Sequence, residues 1–141
     1  GAAVLAQTVP YLPPSVLVAV VDPGVGGSRR GLAVAAGASI LVGPDNGLLL
    51  WAADVLGGVT AAVEPSDPAY HLPSPAHTFH GRDVFAPVAA HLAVGVAMSA
   101  LGSALTVDDL ARLRAPRVEI RAGVLAPPLP PPPLFRPAAT I

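Results

Sequence analysis

Asp22, Arg29 and His80 are the residues best equipped for chemistry in a chain otherwise built largely from Ala, Val, Leu, Gly and Pro. They lie in two of three short polar segments, Val21-Asp22-Pro23-Gly24-Val25-Gly26-Gly27-Ser28-Arg29-Arg30, Gly43-Pro44-Asp45-Asn46-Gly47 and Thr78-Phe79-His80-Gly81-Arg82-Asp83. Each follows an apolar or Pro-marked stretch and carries the Gly and Pro that a sharp turn needs. The three side chains can therefore converge at the ends of neighbouring strands. Asp22 closes an apolar run, where an unpaired carboxylate would cost on the order of several kcal/mol, so it demands a cationic or hydrogen-bonding partner. Arg29 stands seven residues on, across a Gly-rich turn, and can return to Asp22 as a two-pronged pair that keeps the carboxylate ionised. His80 lies between Phe79 and Gly81, where the ring can be partly shielded and the backbone lets a ligand approach closely. Two readings stand at this point: a braced turn beside a satisfied core histidine, or a site.

Other patterns carry less. Gly24-Val25-Gly26-Gly27 has the look of a phosphate cradle, but a P-loop needs Gly-Lys-Ser/Thr and the chain has no Lys. His77 and His80 with Asp45 or Asp83 match no strong metal-ligand spacing. Arg82 and Asp83 read as an ion pair bracing the loop against the helix that follows, and His91 as a structural residue of that helix. Asp45 and Asn46 either cap a helix or reach a ligand.

The elements that must position these residues follow from the apolar pattern. Residues 3–9 read as a helix ending before Pro10. Val16 to Val21 has the continuous apolar character of a strand buried on both faces. Leu32 to Ala36 and Ser39 to Val42 read as strands split by Gly37, Gly47 to Leu56 as a helix, and Val59 to Val63 as a strand. Residues 64–77, rich in Pro, form a loop. Pro87 suits the first turn of a helix running to about Ala100, and Val107 to Arg114 suits a short helix opening on Asp108 and Asp109. Strands alternating with helices predict an α/β layered domain with a largely parallel sheet flanked by helices. This domain is expected over residues 1–121, followed by a Pro-rich tail or altered linker at 122–141 in which Ala126 to Pro133 favours polyproline II.

The chain of 141 residues, 52% hydrophobic and 12% charged, is long enough for one domain with a real core. A net charge of -1 gives no electrostatic footprint for nucleic acid or an anionic membrane. With no Cys, disulfides and thiol catalysis are excluded. Val84 to Leu105 is the most membrane-like run, but its Pro, His, Gly and Ser content fits a buried Ala-rich helix better than a span. No signal peptide is expected, and the location expected is cytoplasmic.

From about Leu17 to about Leu101 the chain resembles the S-adenosylmethionine hydroxide adenosyltransferases, relatives of the bacterial fluorinase and chlorinase. The resemblance rests on Asp-Pro-Gly-Val-Gly, Gly-Pro-Asp-Asn-Gly and Thr-Phe-His-Gly-Arg-Asp-Val-Phe-Ala-Pro in that order. It implies hydrolysis of S-adenosylmethionine to adenosine and methionine through attack of water or hydroxide on the 5′-carbon. By motif, the catalytic residues implied are Asp22, Arg29 and His80, and the substrate-binding residues are Val25, Asn46, Phe79 and Gly81. The resemblance further implies no cofactor, no metal and a homotrimer. Where halogenating relatives carry hydroxyl-bearing segments, this chain has Asp22-Pro23-Gly24-Val25 and Phe79-His80-Gly81, which favours hydrolysis over halogenation. An opening strand with a Thr-Asp-Phe-Gly-like motif and a following β-rich domain are also implied, and neither is found in this chain. The alternatives are therefore an incomplete member with weak or no catalysis of its own, or a binding module whose Pro-rich tail docks a partner.

Overall fold

In a computed structural model, residues 1–114, 120–121 and 124–125 are described. Five strands, β1 (Val16–Val18), β2 (Gly31–Ala36), β3 (Ser39–Pro44), β4 (Val59–Glu64) and β5 (Ser103–Leu105), form one sheet in the order β1-β3-β2-β4-β5. Helices α1 (Ala2–Thr8) and α2 (Leu50–Val55) cover one face. A π-helical turn (Gly81–Phe85) running directly into α3 (Ala86–Ala93) covers the other. A separate short pair, β6 (Ile120–Arg121) and β7 (Val124–Leu125), is antiparallel.

The layered α/β architecture stands, but the sheet is mixed and mostly antiparallel rather than largely parallel. Only β1 and β3 pair in parallel, whereas β2–β3, β2–β4 and β4–β5 are antiparallel. The reason is the length of one connection. Ala36 pairs with Ser39, so β2 and β3 are joined by Gly37-Ala38 alone, and a two-residue link can only fold a strand back on its neighbour. Gly37 takes φ +56°, which such a turn uses. Strands β1, β3 and β4 still point the same way, because α2 carries the chain from β3 across β2 to β4.

Strand alternation builds the two cores. Leu32, Val34, Ala36 and Leu41 face α1 and α2 with Leu49, Leu50, Ala52 and Ala53, all essentially sealed from solvent. Ala33, Val42 and Val63 face Phe85, Val88, Leu92 and Leu101. Each buried Leu or Phe contributes about 1.5–3 kcal/mol relative to exposure, so both layers are held by their apolar faces.

Several boundaries differ from the sequence reading. The run Val16 to Val21 forms a strand only over Val16–Val18 and lies at the sheet edge, leaving Val18, Val20 and Val21 partly exposed instead of buried on both faces. The first helix gives way at Val9–Tyr11 to a 3₁₀ turn that includes Pro10. The helix expected from Gly47 begins at Leu50, with Asn46 Oδ1 accepting the Leu48 N–H just upstream. The helix expected to reach Ala100 stops at Ala93. Gly95, at φ +97°, closes it: its N–H bonds to Leu92 O while the Val96 N–H bonds to His91 O. No helix among the described residues is long and apolar enough to cross a membrane. Val107 to Arg114 yields only a 3₁₀ turn at Val107–Asp109. Beyond it the backbone bonds to side chains of another element, Ala111 N–H to Asp45 Oδ1 and Asp109 O from Arg30 Nη2, so no helix propagates. The Pro-rich run Ala126 to Pro133 lies outside the described residues.

Candidate active site

The loops that follow the three co-directional strands carry every candidate residue. Val25 and the pair Asp22 and Arg29 come after β1, Asn46 after β3, and Phe79, His80 and Gly81 after β4. The C-terminal ends of these strands thus gather residues that are far apart in sequence.

The loop after β1 curls tightly enough for Arg29 to return to Asp22. The Val25 N–H bonds to Asp22 O and the Gly27 N–H to Gly24 O, forming successive turns. Gly26 adopts φ +77°, and a Cβ there would stand 2.8 Å from the His77 carbonyl oxygen. Only glycine permits that contact, which brings the loop against the segment leading to His80. Arg29 Nε then donates to both carboxylate oxygens of Asp22 at 2.9 Å, and Nη2 also donates to Oδ2. The same Nη2 lies 2.9 Å from His80 Nδ1. The pair is well shielded, with the Asp22 side chain 4% exposed and that of Arg29 12%.

This chain of bonds fixes the protonation of the imidazole. A guanidinium nitrogen has no lone pair to offer, so His80 Nδ1 accepts and, in the neutral ring, Nε2 carries the proton. Burial holds the His80 pKa below its ordinary value, the neighbouring Arg29 charge lowers it further, and Asp22 only partly counteracts them. His80 is therefore neutral near pH 7 and presents an N–H donor at Nε2.

Asp22, Arg29 and His80 are thus brought together in direct contact. Val25 is half-buried within the turn. Asn46 braces the loop: its Nδ2 donates to Val21 O at 2.9 Å while its Oδ1 accepts from Leu48. Phe79 is 56% exposed, with the Arg82 guanidinium 4.9 Å above its ring. Gly81 opens the π-helical turn, and a Cβ there would make ordinary contact with Val20. Arg82 and Asp83 form the expected ion pair, and Asp83 Oδ2 also accepts the Ala76 N–H at 2.8 Å. The Arg82 hydrogen bond, followed by the Ala76 N–H, holds the Asp83 carboxyl below the usual carboxylate range. Asp45 is bound by Arg30 and by the Ala111 N–H.

One residue of this environment escaped the sequence reading. The Phe85 ring, fully buried, lies 5.1 Å beneath the Arg29 guanidinium. A Phe in an apolar run reads as core, and nothing in its spacing from His80 announces an extra residue in the turn. Within that turn the Ala86 N–H bonds to Gly81 O, five residues back, the mark of a π-helix.

Residues 1–102 match the SAM hydroxide adenosyltransferase N-terminal domain. The chain belongs to this family. An (R)-S-adenosyl-L-methionine hydrolase of Salinispora arenicola is 60% identical over 119 residues, covering 84% of this chain and 46% of the relative. A fluorinase of an Actinoplanes species is a more distant relative, 34% identical over 101 residues, covering 71% of this chain and 34% of its own. The crystal structure of an uncharacterized conserved protein from Thermotoga maritima superposes with a TM-score of 0.70 at 35% identity, over 83% of this chain and 45% of that one. The chain spans about half the length of the curated hydrolases it matches.

Proposed function

We propose that the protein to which this chain belongs hydrolyses S-adenosylmethionine to adenosine and methionine, with Asp22, Arg29 and His80 as the catalytic residues. The observation that carries the reading is the single guanidinium bonded at once to a buried carboxylate and to an imidazole nitrogen. The leaving group is a neutral thioether departing from a sulfonium, so the reaction needs no strong acid and the demand falls on the oxygen nucleophile. In this reading the His80 Nε2–H donates to that oxygen and the Arg29 charge favours hydroxide over water there. Asp22 anchors Arg29 through both its oxygens. Hydroxide forms the bond to the 5′-carbon as the C5′–S bond breaks and its electron pair leaves with the methionine sulfur. This meeting of anion and cation cancels charge, which a shielded site favours.

Val25, Asn46, Phe79 and Gly81 are the residues we assign to the nucleoside side. On the family resemblance alone we read the assembly as a cytoplasmic homotrimer using no cofactor. The absence of hydroxyls from Asp22-Pro23-Gly24-Val25 and Phe79-His80-Gly81 supports hydrolysis over halogenation. Because the chain spans about half of its curated relatives, its own turnover is expected to be weak or absent, remote binding energy being what orients the reacting centre.

The test is incubation of the purified protein with S-adenosylmethionine, with and without added halide, followed by chromatography. The expected products are adenosine and methionine, with the rate falling roughly 10²–10⁴-fold in His80→Ala. A halogenated nucleoside, or an undiminished rate in His80→Ala, would overturn the assignment.

A further inference from the structure

We infer that Phe85 is a positioning residue for this site: its buried ring sets the plane of the Arg29 guanidinium, and that plane decides which nitrogen of His80 carries the proton. The catalytic meaning of this rests on the hydrolase reading above; the geometry does not.

Arg29 is tied to Asp22 along one edge, through Nε to both oxygens and Nη2 to Oδ2. A guanidinium held along that edge can still tilt about it, and the tilt swings the second Nη2–H out of line with His80 Nδ1. The Phe85 face, 5.1 Å from the guanidinium carbon, opposes that tilt by attracting the cation to a fixed plane. The ring itself cannot follow, because it is fully buried and bounded at its edge by Gly31, where a Cβ would stand 3.2 Å from Phe85 Cε1. His80 immediately precedes the π-helical turn Gly81–Phe85, so one local segment carries both the imidazole and the platform beneath its partner.

The groups facing His80 are Asp22 and Arg29 from the loop after β1, His77 from the segment before it and Asp83 from its own turn. If Nη2 leaves Nδ1, the acceptor nitrogen is free to take a proton while Asp22 and Asp83 continue to favour the charged ring. Loss of the platform should therefore mix the tautomers and raise the titration midpoint.

The experiment is a long-range ¹H–¹⁵N correlation spectrum of the histidine rings in the intact chain, with His80 assigned by His80→Gln. Wild type is expected to show Nδ1 unprotonated and Nε2 protonated. Phe85→Leu should show mixed tautomers and a midpoint raised by roughly half a pH unit or more, while Phe85→Tyr, which keeps the ring face, should restore the wild-type pattern. Replacement by pentafluorophenylalanine keeps the shape but reverses the ring's charge distribution, so it should behave like Leu even if Phe85→Leu fails to fold. An unchanged tautomer and midpoint in folded Phe85→Leu or in the pentafluoro variant would overturn the proposal, leaving Phe85 as core filling. The measurement requires no turnover, so failure of the hydrolase assignment and failure of this one are read separately.

Discussion

Three aspartates, Asp22, Asp45 and Asp83, have side chains only 4% exposed, and each is paired with its own arginine. What separates them is the arginine. Arg82 and Arg30 lie largely or partly in water, whereas Arg29 is enclosed and shared with His80. A shared and desolvated cation couples the protonation of its two partners; an exposed one is a brace screened by solvent. Removing the Arg29 charge, as in Arg29→Met, takes away the cation that helps to depress the His80 pKa and leaves the Asp22 carboxylate to raise it. The His80 midpoint should then move up, as followed by NMR titration of the ring protons. The native His80 also affects stability. Its folded pKa lies below the unfolded one, so on acidification through the ordinary imidazole range the unfolded chain binds the proton first and stability falls. Denaturant unfolding between pH 7 and pH 5 should show that loss, and His80→Gln should flatten part of it. An acid slope identical in the variant would refute the assignment. Asp22, Arg29 and His80 were legible in the sequence because buried charges need partners and glycines mark where the chain can fold back to supply them. Phe85 was not, since its contribution depends on the face of a ring and on which cation lies above it.

At the scale of elements, four of the five strands of the main sheet were readable, β5 was not because Ser103-Ala104-Leu105 is too short to show a period, and strand directions were less legible still. Periodicity identifies an element by its own residues, but direction is set by connections, and the two-residue link Gly37-Ala38 was the feature that made β2 antiparallel to its neighbours. Helix ends were misplaced for a similar reason: Gly95 closes α3 through backbone bonds that apolar patterning does not register. The union of β1 with β3 rests on a close backbone approach. A Cβ on Gly43 would stand 2.2 Å from Ala19 O, at the point where the Ala19 N–H bonds to Val42 O. Gly43→Ala should therefore pry the edge strand from the sheet, at a cost of at least about 1–3 kcal/mol in urea unfolding. Because β1 delivers Asp22, the same variant should also disturb the His80 ring signals. A stability and spectrum unchanged by Gly43→Ala would show that the strand is not held in this way.

Across the whole molecule, charge and apolar packing are segregated. The ends of β1, β3 and β4 present the charged loops, and Arg30 and Asp45 clamp residues 109–111 beside them. A further contact ties the same strap down, since a Cβ on Gly47 would stand 2.6 Å from Leu113 N. The layered class was visible from sequence because alternating apolar runs must be covered on two faces, but the strap was not, as its bonds link residues more than sixty positions apart. The opposite ends of these strands carry the links Gly37-Ala38 and Gly57-Gly58. At Gly57 and Gly58 a Cβ would meet nothing within 4 Å. That bare corner is a natural port for foreign sequence: a flexible peptide or a fluorescent domain spliced between Gly57 and Gly58 should leave the His80 ring spectrum unaltered. A fold that keeps its charged loops on one rim thereby offers the other as a handle, where a probe can report on the candidate site without entering it.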